Sequence, residues 1–469
     1  MKKISVIMIA LCAIIVVSCQ SDTDKADKFR LNNEFVKAAE LYKKAAAEGD
    51  AYAMWRLAHA YKNGEGVEHD KEKMLQYLKL AAEGGCEEAE YDLATLYLFG
   101  TYGINKDAKK GKAMIDAIVN QTDNSYVLTQ FASLLFYGTE PYDEDKDKAF
   151  VILDNIKDKN ESTYLLLACV YENGTATMSP NINKAVKYYK KAFDNGFKYS
   201  AYLLYLDYML GYGGLKADTT IALEWLQKGV EANNNECMVE MSDYCLSEDS
   251  KYSLYHNVSR GLSLLETAAK HGSSNANRIL GGYYYGGEHV RKDDIKAFEY
   301  TTKSAEMGDA TGTYNLGWFY INGVGCDKDI TKGIEIWEEA VRLGSGDAAT
   351  KLYIYYSGYN NNNGVPQGPI NKQLAKEYLL TAAKMGERYA FFNLARHYLN
   401  GSEMFEKNNQ MAFIYTQKAA DAGVVDAYGV LAYLYKEGIG CDKDLDKARE
   451  YENMTKAKED LEKEKQIEK

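Results

Sequence analysis

The sequence predicts an all-α solenoid, an array of about eleven helix–turn–helix repeats stacked side by side. A glycine returns about every 37 residues, and a fixed period of this length is typical of helical repeat proteins. In most repeats a leucine precedes the glycine, a tyrosine stands three positions before it, and a Lys-Ala pair follows it. The chain has only four prolines, as uninterrupted helices require. The recurring glycines are Gly64, Gly100, Gly138, Gly174, Gly211, Gly287, Gly323, Gly358, Gly401 and Gly438.

The eighth repeat illustrates how these residues specify two helices. Leu316 and Tyr320 are four positions apart, which places them on one face of a helix. Gly317 is small enough to let a partner helix approach closely. Gly323 is expected to end the first helix, and Asp329 is expected to cap the second helix.

The amino-terminal segment has the pattern of a secretion signal. Lys2 and Lys3 precede an apolar run, residues 4–17, which is too short to span a membrane as part of the fold. The run ends in Val-Val-Ser-Cys, which resembles the lipobox of bacterial lipoproteins, so Cys19 is expected to carry a lipid. Gln20 is not the aspartate that would retain a lipoprotein at an inner membrane. We therefore expect an outer-membrane lipoprotein of a bacterial cell envelope, facing either the periplasm or the surface.

Both ends of the array are expected to be capped. Residues 35–49 have the pattern of a second-type helix standing alone, and the residues from Asp444 onward form a highly charged helix that would solvate the terminal face. The predicted segments are a lipoprotein signal peptide (1–18), a lipidated tether (19–29), a repeat solenoid (30–457) and a charged carboxy-terminal helix end (458–469).

Composition and motifs favour a binding protein over an enzyme. The formal net charge of −12 argues against a nucleic-acid partner, which would require clustered lysine and arginine. The six histidines share no pairing or helical spacing, and the sequence contains no metal-ligand, phosphate-loop, dinucleotide or nucleophile-elbow motif. We therefore expect no catalytic residue, no metal and no cofactor, and a hydrolase is the least favoured interpretation. Cys237 and Cys245 would pair only if they lay on adjacent elements, which the sequence leaves open.

Taken together, the motifs resemble the Sel1-like repeat, a relative of the tetratricopeptide repeat. The shared pattern is A-x-x-x-L-G-x-x-Y-x-x-G-x-G-V followed by K-A-x-x-[WY]-x-x-K-A-A-x-x-G, and it covers roughly residues 30–457. The resemblance implies a right-handed α/α superhelix that serves protein–protein interaction, often as an adaptor in the bacterial envelope. Some cysteine-rich relatives close each repeat with a disulfide, but this chain lacks two cysteines per repeat.

The resemblance also implies where a partner would bind. In tetratricopeptide-like arrays the first helix of each repeat lines a concave groove, and three positions counted from the recurring leucine face inward. Aromatic and arginine side chains at these positions, on a chain with 40 tyrosines, are the residue types that binding hot spots use. The alternative is that these rings pack between neighbouring helices. The candidate residues are Trp55, His59, Tyr91, Tyr202, Arg278, Tyr285, Tyr314, Trp318, Phe392, Arg396 and Tyr433.

The function expected from the sequence is that of a lipid-anchored envelope scaffold or adaptor. Its groove would bind an envelope protein or an extended peptide, and the amino-terminal lipid would attach it to the membrane. The alternative is a glycan- or peptidoglycan-binding protein, because aromatic grooves also stack sugars.

Overall fold

The computed structural model describes residues 21–32, 34–249, 254–358 and 365–467, and within them the chain forms 24 α-helices and no strand. The all-α fold predicted from the sequence is therefore confirmed. The helices are α1 (Asp22–Leu31), α2 (Phe35–Ala47), α3 (Ala51–Asn63), α4 (Lys71–Glu83), α5 (Glu87–Phe99), α6 (Ala108–Val119), α7 (Ser125–Tyr137), α8 (Lys146–Asn155), α9 (Glu161–Asn173), α10 (Ile182–Asp194), α11 (Ser200–Leu210), α12 (Thr219–Glu231), α13 (Asn235–Leu246), α14 (Val258–Lys270), α15 (Ser274–Gly286), α16 (Asp294–Glu306), α17 (Ala310–Asn322), α18 (Ile330–Arg342), α19 (Gly346–Ser357), α20 (Lys372–Lys384), α21 (Arg388–Asn400), α22 (Asn409–Asp421), α23 (Val425–Glu437) and α24 (Leu445–Ile467).

The helices belong to two compact units, Met1–Cys237 and Met238–Lys469. Eleven repeats run from α3 to α24, and in each the odd-numbered helix is the first and the even-numbered helix is the second. The two helices of a repeat pack directly against each other, as α3 and α4 do in the first unit and α17 and α18 do in the second. The fold is thus a solenoid of helix pairs.

The eighth repeat, α17 and α18, confirms the local predictions. Gly323 follows α17 in the left-handed conformation, with φ of 71° and ψ of 43°. The Asp329 side chain caps α18 by accepting a hydrogen bond of 3.0 Å from the backbone N–H of Lys332. A Cβ atom at Gly317 would lie 2.5 Å from Cδ1 of the buried Trp337, so only glycine allows this close helix contact. Every other recurring glycine also follows the last residue of a first helix and has a positive φ.

A second glycine, two positions after the one that ends the helix, links neighbouring repeats. Gly325 has φ of 67°, and a Cβ atom there would lie 2.0 Å from the carbonyl oxygen of Asp294, the first residue of α16. Gly66 and Gly440 approach the first residues of α2 and α22 in the same way, at 2.1 and 2.0 Å. The sequence motif contains this glycine, but only the structure shows that it contacts the backbone of the preceding repeat.

Many tyrosines are used inside the repeats. In five repeats the tyrosine three positions before the glycine stacks on a tyrosine of the second helix, with ring centroids 5.3–6.0 Å apart and ring planes within 8° of parallel. In four of them the lysine that begins the Lys-Ala motif, or its equivalent, lies over the first ring at 4.8–5.4 Å from the centroid. An aromatic pair contributes about 0.5–1.5 kcal/mol beyond its buried area. The stacked pairs are Tyr61–Tyr77, Tyr171–Tyr188, Tyr284–Tyr300, Tyr398–Tyr415 and Tyr435–Tyr451.

The amino-terminal end differs from the polar tether expected from the sequence. The structure places helix α1 there, packed on α2, so α2 does not stand alone. Lys44 pairs with Asp22 at 2.6 Å, and the Tyr42 hydroxyl donates a hydrogen bond to Asp27. The most buried residue of α1 is Ala26, so the helix carries no apolar stripe that periodicity could detect. Polar contacts hold this helix in place.

Two further expectations concern the cysteines and the leader. Cys237 and Cys245 lie on the same helix, α13, about 12 Å apart along its axis, which exceeds the reach of a disulfide bond. The described residues contain no disulfide bond. The predicted signal peptide, residues 1–18, and the predicted lipidation site Cys19 lie outside the described residues. No helix in the described part of the chain is long and apolar enough to cross a membrane.

Candidate functional site

The eleven residues expected to line a groove all lie on first helices, and the structure brings together two sets of them. Trp55 and His59 lie at a small pocket in the first unit. Tyr314 and Arg396 lie in a larger groove in the second unit, although they are two repeats apart in sequence. The two sites differ in how many of their polar side chains already have partners.

The other predicted residues contact their own neighbours or are exposed at the surface. Tyr91 is only 2% exposed, and its hydroxyl has no hydrogen-bond partner in the described part of the chain. Phe392 packs against the core of the last repeats, and the ring of Tyr202 lies 5.9 Å from that of Tyr205. The Nε atom of Arg278 lies 4.0 Å from a carboxylate oxygen before α17. Exposed at the surface are Tyr285 (40%) and Tyr433 (51%).

The larger site, which we term the carboxy-terminal groove, is a cavity of about 660 Å³ in the second unit. It is formed by α17, α19 and α21, the first helices of three successive repeats, and by the turn after α21. This volume is within the range of ligand-binding cavities. The lining residues are Tyr314, Asp347, Thr350, Lys351, Tyr353, Ile354, Glu387, Tyr389, Asn393, Arg396, His397, Asn400, Gly401 and Ser402.

Four polar side chains in this groove make no hydrogen bond or ion pair within the described part of the chain. Lys351, Asn393, Arg396 and Asn400 line the cavity, and no side-chain hydrogen bond or ion pair connects them to other described residues. In contrast, Glu387 accepts a hydrogen bond of 2.7 Å from the first turn of α21 and another of 3.2 Å from a threonine hydroxyl. Arg396 and Asn400 are exposed, and Lys351 and Asn393 are half-buried, so all four can bind a ligand that enters the cavity.

An aromatic ring supports the cation at one side of the groove. The Lys351 ammonium lies 5.7 Å from the ring centroid of Trp318, another of the groove residues predicted from the sequence. Burial lowers the pKa of Lys351 from its usual value, although Asp347 and Glu387 act in the opposite direction. The ammonium is therefore partly dehydrated, and it has no hydrogen-bonding partner among the described residues, which lowers the cost of binding an acceptor.

A buried histidine closes one end of the groove. Nε2 of His397 lies 2.9 Å from the Tyr353 hydroxyl, and its Nδ1 lies 3.0 Å from the Ser402 hydroxyl. Burial, and after it the positive charges of Arg396 and Lys372, lower the pKa of His397 to about 4. The imidazole is thus neutral near pH 7, and it fixes the turn after α21. No spacing in the sequence distinguishes this histidine from the other five.

The smaller site, which we term the amino-terminal pocket, has a volume of about 180 Å³. Its lining residues are Arg30, Phe35, Ala38, Ala39, Tyr42, Trp55, Arg56, His59, Ala60, Asn63, Glu65 and Tyr126. Most of its polar groups are already paired, because Asp92 accepts hydrogen bonds of 2.7 Å from Trp55 Nε1 and 2.8 Å from the Tyr126 hydroxyl. His59 Nε2 lies 2.9 Å from the same carboxylate. Trp55 is 3% exposed, so its ring packs between helices.

Sequence reasoning missed the residues that complete each site. Asp92 stands 37 positions after Trp55, which is one repeat period, so the period could have indicated their contact. Lys351 and Asn393 carry no such signal, because the positions counted from the leucine did not include them. The described residues contain no cluster of three histidine, cysteine or carboxylate side chains that could hold a metal ion. The arrangement offers hydrogen-bond donors, charges and rings, which are suited to binding.

The chain belongs to the Sel1 repeat family, whose members are built from repeated helix pairs that mediate protein–protein interaction. The family model matches eleven segments that together cover well over half of the sequence. The matched segments are residues 33–50, 51–86, 87–114, 163–197, 200–234, 235–273, 274–309, 310–345, 348–387, 389–424 and 425–451. The resemblance inferred from the motifs is confirmed.

Similar proteins come from fungi and from bacteria. The chain is 32% identical over 123 residues to a chitin synthase regulator of Saccharomyces cerevisiae, covering 26% of this chain and 17% of that protein. It is 25% identical over 284 residues to chitin synthase regulatory factor 4 of Schizosaccharomyces pombe, covering 57% of this chain and 38% of that protein. The chain therefore spans less than half the length of these relatives. A solved structure of a protective antigen of uropathogenic Escherichia coli, which displays an SLR fold, is 23% identical with a TM-score of 0.44 and 90% coverage of both chains.

Proposed function

We propose that this protein is an envelope scaffold that binds an extended segment of another protein in the carboxy-terminal groove. The observation that carries the proposal is the set of four unused polar side chains, Lys351, Asn393, Arg396 and Asn400, in one cavity across three first helices. A rigid scaffold that leaves such groups free of internal partners can pair them with a ligand at little cost in reorganisation.

The chemistry of the groove favours a peptide over a glycan. Asn393 and Asn400 are seven positions apart on α21, so they lie on one face of the helix. Their amides can each donate to a peptide carbonyl and accept from a peptide N–H. Sugars stack on open aromatic faces, but the Tyr314 ring stacks on Trp337 with centroids 6.1 Å apart, and Lys351 lies over Trp318. The exposed ring of the groove is Tyr389, and the Arg388 guanidinium lies over it at 4.9 Å from the centroid. The glycan alternative is therefore second.

A membrane anchor completes the proposed function. The lipobox-like sequence that ends at Cys19 supports lipidation, and Gln20 supports an outer-membrane location over an inner-membrane one. The two fungal relatives are named as regulators of an enzyme, which supports a binding role for the repeats. Labelling with a palmitate analogue should mark the wild type and leave a Cys19→Ser variant unlabelled. Equal labelling of both would exclude this anchor.

The groove is tested by affinity capture of partners with the soluble chain from Gln20 onward. The test variant is Tyr389→Ala combined with Asn393→Ala, and the control is Tyr212→Ala, because Tyr389 and Tyr212 are exposed to a similar extent, 49% and 56%. We expect an envelope protein to be captured by the wild type and the control and lost in the groove variant. Protection of α19 and α21 from hydrogen exchange in the complex would locate the contact.

Two results would contradict the proposal. Capture of the same protein by the groove variant would move the interface away from this cavity. Retention of polysaccharide without any protein would favour the glycan alternative. Circular dichroism of each variant separates loss of binding from loss of folding.

A further inference from the structure

The charges of the carboxy-terminal groove are separated along its length. Asp347 is the second residue of α19, and Glu387 is the residue that caps α21, so both carboxylates lie near the amino ends of these helices. Lys351 also lines the cavity, and both carboxylates act to raise the pKa of its ammonium group. Among the lining residues, two carboxylates against one ammonium give this end a net negative charge, while the nearby Arg388 guanidinium lies over the Tyr389 ring.

The opposite end of the groove is positive. Arg396 follows Glu387 by nine residues on α21, which separates them by about 13 Å at a rise of about 1.5 Å per residue. The charges that act on the neighbouring His397 are those of Arg396 and Lys372, and both are positive. Lys372 itself donates a hydrogen bond of 2.8 Å to the carbonyl oxygen of Ser357, which keeps its ammonium close to this end. The buried imidazole of His397 adds no charge near neutral pH.

We infer that the groove recognises a peptide segment carrying two opposite charges about four residues apart, with the acidic group on Arg396 and the basic group at the end lined by Asp347 and Glu387. The inference rests on the proposed function and names the class of ligand. An extended chain advances about 3.4 Å per residue, so about four residues span the separation of the two charged ends. Arg396 has a guanidinium that suits a carboxylate, and neither Arg396 nor Asp347 makes a side-chain hydrogen bond or ion pair with another described residue.

The asparagines fit the same arrangement. Asn393 and Asn400 lie one turn before and one turn after Arg396 on α21, so they flank the position of the acidic group. Their amides are placed to bind the backbone on either side of it, which would hold the ligand extended. The groove would therefore select a peptide by the spacing of its two charged residues, and it would place little constraint on the side chains between them.

The test uses fluorescence anisotropy with short labelled peptides blocked at both ends. The probe is Lys-Ala-Tyr-Ala-Glu within an alanine background, and the comparison peptides replace lysine with glutamine, replace glutamate with glutamine, or place the two charges side by side. We expect each comparison peptide to bind roughly tenfold or more weakly than the probe. Equal binding of the probe and the three comparison peptides would overturn the inference, as would failure of the wild type to bind any of them.

Charge reversal in the protein provides the matched measurement. Arg396→Glu should weaken probe binding roughly tenfold or more and should favour a peptide with lysine at both charged positions. Arg449→Glu, an exposed arginine on α24 outside the groove, is the control and should change nothing. An unchanged Arg396→Glu variant would refute the inference. If the native partner is still lost in the Tyr389→Ala/Asn393→Ala variant, the proposed function stands even when the charge rule fails.

Discussion

The buried imidazole of His397 makes the stability of the second unit depend on pH in a way that can be calculated. The side chain is 7% exposed and lies between the hydroxyl groups of Tyr353 and Ser402. Replacing it by glutamine keeps an amide donor and acceptor at the site but removes the titrating group. Any difference in pH dependence between the wild type and His397→Gln therefore reports the protonation of this one residue.

The magnitude follows from the difference between the folded and unfolded pKa values of His397. The pKa is about 4 in the folded chain and 6.5 for an exposed imidazole. Because the folded pKa is lowered, the unfolded chain takes up a proton between these values that the folded chain does not. The contribution of His397 to the free energy of unfolding is therefore fully present above pH 6.5, and it is lost as the pH decreases towards 4. A difference of about 2.5 pH units corresponds to about 3 kcal/mol.

The assay is urea unfolding of the full chain at about pH 7 and about pH 4.5, followed by the helical signal in circular dichroism. Carboxylates also titrate in this range, so the quantity to compare is the loss in the wild type minus the loss in His397→Gln. We expect the wild type to lose about 2–3 kcal/mol more than the variant. His271→Gln, at an exposed histidine of the same unit, is the control and should behave like the wild type.

Equal losses in the wild type and in His397→Gln would refute this reasoning. That result would mean that the imidazole is hydrated or already charged in the folded chain. The turn that closes the carboxy-terminal groove would then be held by contacts other than these two hydrogen bonds.

Two other predictions concern the first unit and the repeat junctions. Burial, with Glu172 as the second cause, raises the pKa of Asp207 to about 7, so stability falls as the pH rises from about 4 to 7. Asp207→Asn should therefore raise the free energy of unfolding by up to ~4 kcal/mol at about pH 8 and change it little below about pH 4. The absence of a gain at about pH 8 would contradict the raised pKa of Asp207. Gly325→Ala should lower the free energy of unfolding by ~1–3 kcal/mol more than Gly308→Ala does, and it should lower the melting temperature further. Both glycines have a left-handed φ, but of the two only Gly325 would place a Cβ atom 2.0 Å from a backbone atom. Equal melting temperatures for the two variants would show that the repeat junction tolerates a side chain.

The local features of the repeat were predictable because each depends on residues close together in sequence. A glycine ends a helix through its own φ, and an aspartate caps a helix through an N–H three residues later, so Gly323 and Asp329 could be assigned without a structure. Helix α1 escaped detection because polar contacts, such as that between Asp27 and Tyr42, replace the apolar stripe that periodicity measures.

The candidate site was less predictable. Counting from the recurring leucine placed all eleven candidates on first helices, but it could not separate Trp55, which Asp92 holds in a packed cluster, from Arg396, which lines an open cavity. The tyrosine count was also ambiguous, because the same residue type forms the stacks within the repeats and the exposed surface at Tyr389.

The sequence by itself determined the family, the all-α fold, the order of first and second helices and the residues that end and cap them, because these depend on short-range geometry repeated along the chain. Only the tertiary structure decided which polar side chains remain without a partner. The carboxylate that satisfies Trp55 comes from the next repeat, whereas no neighbouring repeat supplies a hydrogen bond or ion pair to Lys351 or Arg396 among the described residues. The carboxy-terminal groove is defined by that difference, which arises from packing between repeats and has no local signature in the sequence.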